Sequence, residues 1–302
     1  MPGSFAAIVA IRVSTGLLSS ITSILLNLGV ILWDLLLTAY NAVASPRPAD
    51  RVVPEGCPGA GGLWPLYVAP TDADSRSSCP ALNAMANHGI LPHSGRAIPF
   101  RQLFSTIRST YNFSPSFCFF VPHFAAQMLD RDYWTDSFDL SDLNVHNGIE
   151  HDASLTREDT YHMSDQLRPV ASLVDDLLAN GTGPGGDLTP GDLSRVLGKR
   201  RTHAKLTNGQ FSLSTFHKMF GSSNSSTLLT IYGGHVKDLR PILLEERIPE
   251  GWQPRVRSPM GLTLTEFNAT VLKVELGIEE EARAGFRAWS KLFAGTEGKK
   301  FI

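Results

Sequence analysis

The spacing of apolar residues along the chain predicts a mainly helical protein. Apolar side chains recur every three or four residues from Phe100 to Tyr111 and from Ser116 to Asp130, as they do on the buried face of a helix. Further helices are indicated from Asp192 to Lys199 and from Glu279 to Phe293. The pattern from Leu262 to Leu276 fits either a helix or a strand. We therefore expect a single, mainly α domain with little sheet.

The sequence also predicts a short helix that begins just after a cysteine. Pro80 suits a first helical position, where its missing N–H costs nothing, and Gly89 suits a left-handed helix end. Cys79 is then the N-cap, next to unpaired N–H groups and the positive end of the helix dipole. We expect this position to lower the pKa of the thiol, which makes Cys79 a candidate nucleophile or metal ligand.

The N-terminal region contains one long uncharged stretch. No charged residue occurs from Val13 to Trp33, and as a helix this length reaches roughly across a hydrocarbon core of ~30 Å. Serine, threonine and Asn27 dilute it, so a helix lying in the membrane interface is an alternative. Ala42-Val43-Ala44 before Ser45 also fits a signal-peptidase site, and a buried core helix is a further alternative. We favour an uncleaved membrane-associated anchor.

Composition limits the classes of function and suggests the domain boundaries. The 302 residues include 27 basic and 29 acidic ones without long runs of either sign, which argues against a nucleic-acid partner. Residues 46–78 are rich in proline and glycine and predict a linker or wrapping arm. We expect a membrane-associating segment or signal at 1–45, a catalytic domain at 79–294 and a tail at 295–302.

The three cysteines are too few for a disulfide framework. If Cys79 binds a metal, Cys57 and Cys118 remain, and the sequence leaves open whether they form a bridge.

A second polar group lies between Glu150 and Asp159. Thr156 followed three residues later by Asp159 is a capping-box pattern, which predicts a helix from there to about Ala179. The loop before it carries Glu150, Asp152 and Ser154, whose oxygens suit a hard cation. A polar loop without an ion is the alternative.

These segments resemble the heme-thiolate peroxidases, the family of chloroperoxidase and the unspecific peroxygenases. The resemblance rests on Cys-Pro-Ala-Leu-Asn-Ala-Met-Ala-Asn-His-Gly from Cys79, on Glu-His-Asp-Ala-Ser from Glu150, and on Glu-Glu-Arg-Ile-Pro-Glu-Gly-Trp from Glu245. It implies a helical chloroperoxidase-like fold behind an N-terminal hydrophobic helix. It also implies heme b, with Cys79 as the axial ligand of the iron.

The same resemblance assigns the remaining site residues. Glu150, Asp152 and Ser154 would hold Mg²⁺ or Mn²⁺, and Arg96 would meet a heme propionate unless it is an exposed loop arginine. His151 would be the distal catalytic group, with its pKa tuned by Asp152. The segment from Glu245 to Trp252 would have a structural role, with buried arginine pairs and a capping tryptophan.

One position departs from the family pattern. A glutamate on the distal helix acts as acid–base in these enzymes, and the matching residue here is Asn224, with no carboxylate between Gly221 and Lys237. We expect oxidation of a small organic molecule, such as a secondary metabolite, with hydrogen peroxide. The missing acid leaves two alternatives open: a redox-neutral heme isomerase or dehydratase, and a non-catalytic heme-binding membrane protein.

Overall fold

Helices dominate the computed structural model, which describes residues 24–280. Within that range the α-helices are α1 (Ile24–Val43), α2 (Pro80–Asn87), α3 (Phe100–Tyr111), α4 (Pro115–Met128), α5 (Ala171–Ala179), α6 (Pro190–Thr207), α7 (Thr215–Thr230), α8 (Val236–Leu244) and α9 (Leu264–Leu276). Short 3₁₀ turns occupy Ala60–Gly62, Leu140–Asn144 and Pro184–Gly186. The mainly α fold with an N-terminal apolar helix is confirmed.

The described sheet is a single antiparallel pair of two-residue strands, β1 (Ile98–Pro99) and β2 (Ser137–Phe138). Ile98 pairs with Phe138 and Pro99 with Ser137. The pair joins the chain entering α3 to the chain leaving α4. It therefore closes one side of the helical core.

Local capping explains where several helices begin. Pro115 and Pro190 occupy first-turn positions of α4 and α6, after the N-cap residues Ser114 and Thr189. The Ser114 hydroxyl accepts from the N–H of Phe117. These starts are set by the local sequence, so the predicted helices at 100–111 and 116–130 agree with α3 and α4 within two residues.

Capping and loop contacts decide two further sequence predictions, of which one was open and the other was wrong in part. The stretch from Leu262 to Leu276 is helical, because Thr263 and Glu266 form a reciprocal capping box at the start of α9. The helix predicted from Thr156 to Ala179 was wrong over its first part, since only Ala171–Ala179 is helical. The Asp159 carboxylate accepts from the N–H of Ala153 in the preceding loop instead of capping a helix. Most of the helix predicted from Glu279 to Phe293 lies outside the described residues.

The packing of α7 against α9 fixes one wall of a cavity that Cys79 and His151 also line. Small residues on α7 let the two helices approach closely, as the buried Ser222 and Ser226 show. The Ser226 hydroxyl donates to the Phe267 carbonyl at 3.0 Å, and the Ser222 hydroxyl donates to the Glu275 carboxylate at 2.6 Å. Because both contacts reach α9, the position of α7 depends on α9.

The proline- and glycine-rich segment 46–78 lies against the domain as an irregular arm. Gln253 accepts from the N–H groups of Val52 and Val53 at 3.0 and 2.8 Å, and Trp64 donates its indole N–H to the Trp252 carbonyl. Cys57, in this arm, and Cys118, in α4, are free thiols. The structure therefore contains no bridge between them.

Helix α1 is attached to the domain through one polar stripe. The Asp34 carboxylate accepts from the N–H groups of Leu264 and Thr265 at 2.8 Å each, and from the hydroxyls of Thr265 and Ser116. These N–H groups are the first two of α9, which have no partner within their own helix. Asp34 is thus an N-terminal cap supplied by another helix, and its negative charge faces the positive end of the α9 dipole.

Two further contacts continue this stripe toward the end of α1. Thr38 donates to the Thr263 hydroxyl at 2.8 Å, and Asn41 exchanges hydrogen bonds with Gly261 and Met260. Most other side chains of α1 are exposed. The described part of α1 is therefore not a buried core helix, although it is part of the domain.

Replacing Asp34 with alanine should destabilise the protein by about 2 kcal/mol, because two helix N–H groups lose a charged acceptor. Urea unfolding at neutral pH measures this change. The control is Asp50→Ala, which removes an exposed carboxylate from the arm and should have little effect. Equal stability of the two variants would contradict the assignment of Asp34 as the α9 cap.

Candidate active site

An open cavity of about 160 Å³ lies between α2, the loop 149–157, α7 and α8. Polar groups line one part of it and apolar side chains the rest. The lining residues are Ser78, Cys79, Pro80, Ala81, Ile149, Glu150, His151, Ser154, Leu155, Thr156, Arg157, Asn224, Thr227, Leu228, Tyr232, Ile242 and Leu243.

Cys79 is the N-cap of α2, as the sequence predicted, and its thiol lines this cavity. Gly89 adopts a left-handed conformation just after the helix, with φ of +66°, which a side chain would disfavour. The expected lowering of the thiol pKa was wrong, because burial raises the pKa of Cys79. The N–H groups of Leu82 and Ala81 and the charge of Arg157 act in the opposite direction but are outweighed.

Hydrogen bonds between buried polar side chains fix the position of α2. Asn83 accepts from the Ser77 N–H at 2.8 Å and donates to the Glu246 carboxylate at 2.7 Å. Asn87 donates to the Glu246 carbonyl, and His88 accepts from the N–H of Ile248. The residues of the cysteine segment therefore bond directly to those of the Glu245–Trp252 segment, which accounts for the structural role predicted for the latter.

Arg157 is a site residue that the sequence analysis missed. It is buried, lines the cavity, and donates to the Glu246 carboxylate at 3.2 Å. Burial raises the pKa of Glu246 to about 7, although hydrogen bonds from Asn83 and the charge of Arg157 oppose this rise. Arg157 was the one basic residue in the loop 149–159, but its burial was not visible in the sequence.

The geometry of His151 defines its tautomer. Its Nδ1 lies 2.8 Å from the carbonyl oxygen of Asp152, so Nδ1 carries the hydrogen and Nε2 has a free lone pair. Within the described residues Nε2 makes no hydrogen bond. Burial lowers the pKa of His151 to about 4, and the nearby His217 and Arg201 add to this effect. His151 is therefore a neutral imidazole at pH 7.

Gly221 makes room for this ring. A Cβ at position 221 would lie 3.2 Å from Cε1 of His151, closer than most such contacts. Glycine thus lets α7 approach His151 and places Asn224, one turn later, in the wall of the same cavity. Asn224 is exposed to the cavity and brings an amide where the family pattern has a carboxylate.

The predicted cation ligands are only partly brought together. Glu150 accepts from His146 at 2.8 Å through Oε2, whereas its buried Oε1 has no partner. Ser154 lines the cavity beside it. Asp152 does not line the cavity, and its carboxylate accepts from the N–H of Ser212. Only the main-chain oxygen of Asp152 contacts His151, so the carboxylate is not its hydrogen-bond partner.

Arg96, the predicted partner of a heme propionate, is not in the cavity lining. Its guanidinium donates to the Asp139 carboxylate at 2.8 Å and to the Ala73 carbonyl. These exposed contacts hold it at the surface. The alternative stated for Arg96, an exposed loop arginine, describes its position.

The cavity fits a heme bound through Cys79. A thiol faces the space from a helix N-terminus, where N–H groups stabilise a thiolate, and apolar residues such as Leu228 and Ile242 line the walls. Within residues 24–280, no group of three or more histidines, cysteines or carboxylates is arranged to hold a separate metal ion. Among the lining residues, Cys79 supplies the sulfur donor of the site.

Comparison with known proteins identifies the family of this chain. Residues 65–257 match the family model "Peroxidase, family 2". An aromatic peroxygenase of Coprinellus radians is 30% identical over 199 residues, covering 54% of this chain and 75% of the relative. A chloroperoxidase of Leptoxyphium fumago is 57% identical over 47 residues, covering 14% of this chain and 13% of the relative.

A third relative is the dothistromin biosynthesis peroxidase dotB of Dothistroma septosporum. It is 28% identical over 130 residues, which cover 37% of this chain and 31% of that protein. The family match spans both sides of the cavity, from the arm before Cys79 to the end of the Glu245–Trp252 segment. The chain belongs to the chloroperoxidase family of heme-thiolate peroxidases and is an oxidoreductase of that heme-dependent type.

The lowered pKa of His151 predicts a specific pH dependence of stability. The unfolded chain takes up a proton near pH 6.5, whereas the folded chain resists it down to about pH 4, so stability falls as the pH drops through this window. From pH 7 to pH 5 this group should remove about 2 kcal/mol from the free energy of unfolding. His151→Gln should abolish this part of the loss in urea titrations at the two pH values.

The matched control is His162→Gln, a change at an exposed histidine of the same region, which should keep the wild-type pH dependence. If the His151→Gln variant loses as much stability as the wild type between pH 7 and pH 5, His151 is not a buried neutral group.

Proposed function

We propose that this protein oxidises a small, mainly apolar organic molecule with a peroxide, with Cys79 as the axial ligand of heme b. The observation that carries this proposal is the Cys79 thiol, placed at the N-terminus of α2 in the wall of an open cavity with apolar walls. When bound, the heme supplies an iron centre at which peroxide is activated, and a thiolate ligand favours O–O cleavage.

The residues below the cysteine have the task of keeping the ligand in one place. Arg157 and the N–H groups of Ala81 and Leu82 supply positive potential at the sulfur, which favours the anionic ligand. The bonds from Asn83 and Asn87 to Glu246 limit movement of α2. Arg157 also lines the cavity, so we assign it, in place of Arg96, as the cation that would hold a carboxylate of the bound cofactor.

On the other side of the cavity His151 is the group that moves protons. Its free Nε2 lone pair can accept a proton from a peroxide and return it to the departing oxygen. Asn224 can orient a bound oxygen through its amide but cannot exchange a proton near neutral pH. We therefore assign acid–base catalysis to His151, which acts without the carboxylate that the family pattern has beside it.

A divalent cation, Mg²⁺ or Mn²⁺, is proposed beside Glu150. The partnerless Oε1 of Glu150 and the Ser154 hydroxyl next to it in the cavity wall support this assignment. Asp152 is left out, because its carboxylate accepts from the Ser212 N–H and is absent from the cavity lining. It would act only through its main-chain contact with His151.

The substrate class follows from the walls. Ile149, Leu155, Leu228, Ile242 and Leu243 offer an apolar surface for an organic substrate. The dotB relative is named for biosynthesis of dothistromin, which supports a role for this chain in secondary metabolism. Asn224 favours one second candidate, a redox-neutral heme reaction that needs no distal acid. Peroxide-dependent product formation separates the two.

The apolar helix α1 supports membrane association of this enzyme. Ile24–Val43 is long and apolar enough to cross a membrane, a property that signal sequences and some core helices share. The domain boundaries at 45, 78 and 294 remain predictions.

Cys79→Ser tests the axial ligand. The variant should lose heme, or lose the red-shifted Soret band of a thiolate-bound carbonyl complex in a reduced carbon monoxide difference spectrum, because serine is a poor ligand for this iron. Cys57→Ser, in the irregular arm, should keep the band. A Cys79→Ser protein with an unchanged spectrum and activity would refute the proposed ligation.

Asn224→Glu tests the distal assignment. A carboxylate beside His151 should raise the peroxide-dependent kcat by up to about 10²-fold, the lower end of what general acid–base catalysis contributes. Asn224→Gln has the same length as glutamate but no exchangeable proton, so it should give no gain. An equal response of both variants would show that position 224 acts by size and not by proton transfer.

A further inference from the structure

The contacts of α1 bear on whether this helix is removed as a signal. Cleavage after Ala44 would remove Asp34, Thr38 and Asn41 together, and with them the acceptor for the first N–H groups of α9. Because α9 packs on α7, and α7 forms a wall of the cavity, the active domain depends on α1. These contacts therefore indicate that α1 is retained as part of the fold.

The remaining surface of α1 is apolar and exposed. Its single charged residue, Asp34, is buried against the domain. Outside the docked stripe the exposed side chains include Ile24, Leu25, Leu28, Ile31, Leu32, Trp33, Leu35, Leu36, Tyr40 and Val43. A continuous apolar surface of this length is rare on a soluble monomer. It needs a partner.

The docking also limits how α1 can meet a membrane. From Asp34 to Asn41 the helix lies beside α9 and the segment before it, so this half cannot cross a bilayer without taking the polar domain with it. An apolar helix with one side on a protein domain can instead lie in the membrane plane, with Trp33 and Tyr40 at the headgroup level.

A pair of arginines joins the segment after α1 to α3. Arg47, which follows α1, and Arg108, in α3, line an open pocket of about 250 Å³ with Ser105, Ser109 and Asn112. Arg47 donates to the carbonyls of Val52 and Pro259, and no carboxylate of residues 24–280 forms an ion pair with either guanidinium. Burial, together with the nearby charge of Arg108, lowers the pKa of Arg47. Two neighbouring cations without a counter-ion suit an anion such as a phosphate.

We propose that α1 stays in the mature protein and binds the domain to the surface of an anionic phospholipid bilayer, with a lipid phosphate at the Arg47–Arg108 pocket. The apolar face of α1 enters the acyl boundary while its polar stripe remains on the domain. Arg47 of the pocket is four residues past the end of α1, so the pocket is connected to the apolar helix by a short segment. This proposal deepens the membrane association stated above and does not depend on the peroxide chemistry.

Flotation of the full-length heme-loaded protein with vesicles tests the proposal. Phosphatidylcholine vesicles containing phosphatidylserine should carry the protein to the top of the gradient, and pure phosphatidylcholine should carry less. Leu32→Glu with Leu36→Glu should abolish flotation, because both exposed side chains lie one turn apart on the apolar face. The matched control is Leu63→Glu with Leu66→Glu, which places the same charges on exposed leucines of the arm.

Arg108→Gln should weaken binding to the anionic vesicles about fivefold, as expected for one arginine at a charged lipid surface. Arg240→Gln, on α8, is its control and should bind like the wild type. Inorganic phosphate at unchanged ionic strength should compete for the pocket and weaken binding to the anionic vesicles. Binding that changes neither with inorganic phosphate nor with Arg108→Gln would overturn the headgroup assignment.

Three other results would overturn the proposal. The first is a mature N-terminus at Ser45 in the intact mass. The second is a stable dimer that does not float, since a second copy would then cover α1. The third is loss of flotation in the control variant, Leu63→Glu with Leu66→Glu, as well as in the α1 variant, Leu32→Glu with Leu36→Glu. None of these readouts uses turnover, so a protein that floats but does not oxidise substrates would refute the proposed function and leave this inference standing.

Discussion

The structure depends on how one sulfur is held at the start of a two-turn helix. A thiolate can serve as an iron ligand only if its position and charge are fixed, and α2 is too short to fix them alone. Asn83 and Asn87 connect α2 to Glu246, and Glu246 in turn is paired with Arg157 beside the cavity. Burial at this site disfavours every charge, so each buried charged group needs the others.

The opposite side of the cavity is held by packing instead of charge. Small residues on α7 allow contact with α9, and Gly221 allows contact with His151. The start of α9 is capped by Asp34 of α1, so the apolar N-terminal helix contributes to the wall of the active site through two intermediate helices. α1 therefore has a structural role in the domain besides its proposed contact with lipid.

The distal chemistry combines a neutral histidine with an amide. The Asp152 carbonyl fixes the His151 tautomer, and burial keeps the ring uncharged, which leaves Nε2 ready to accept a proton. Asn224 contributes polarity to the same cavity without a titratable group. In the proposed mechanism, His151 transfers the proton and Asn224 orients the oxygen.

The sequence by itself determined the features that local chemistry controls. Pro80 and Gly89 bracket α2 and leave Cys79 as its N-cap, and the apolar spacing indicated α3 and α4. The motif around Cys79 also identified the family. In the fold, Asn83 of this motif bonds to Ser77 and to Glu246.

Only the tertiary structure decided which polar groups reach the cavity, because that depends on burial and on partners distant in sequence. It placed Arg157 in the cavity wall and Arg96 on the surface beside Asp139, although both are loop arginines in the sequence. It turned the Asp159 carboxylate into the loop, so the expected helix did not begin there, and it made burial outweigh the helix dipole at Cys79. It also showed that Asp34, which interrupts an apolar run in the sequence, is the residue that joins α1 to the domain.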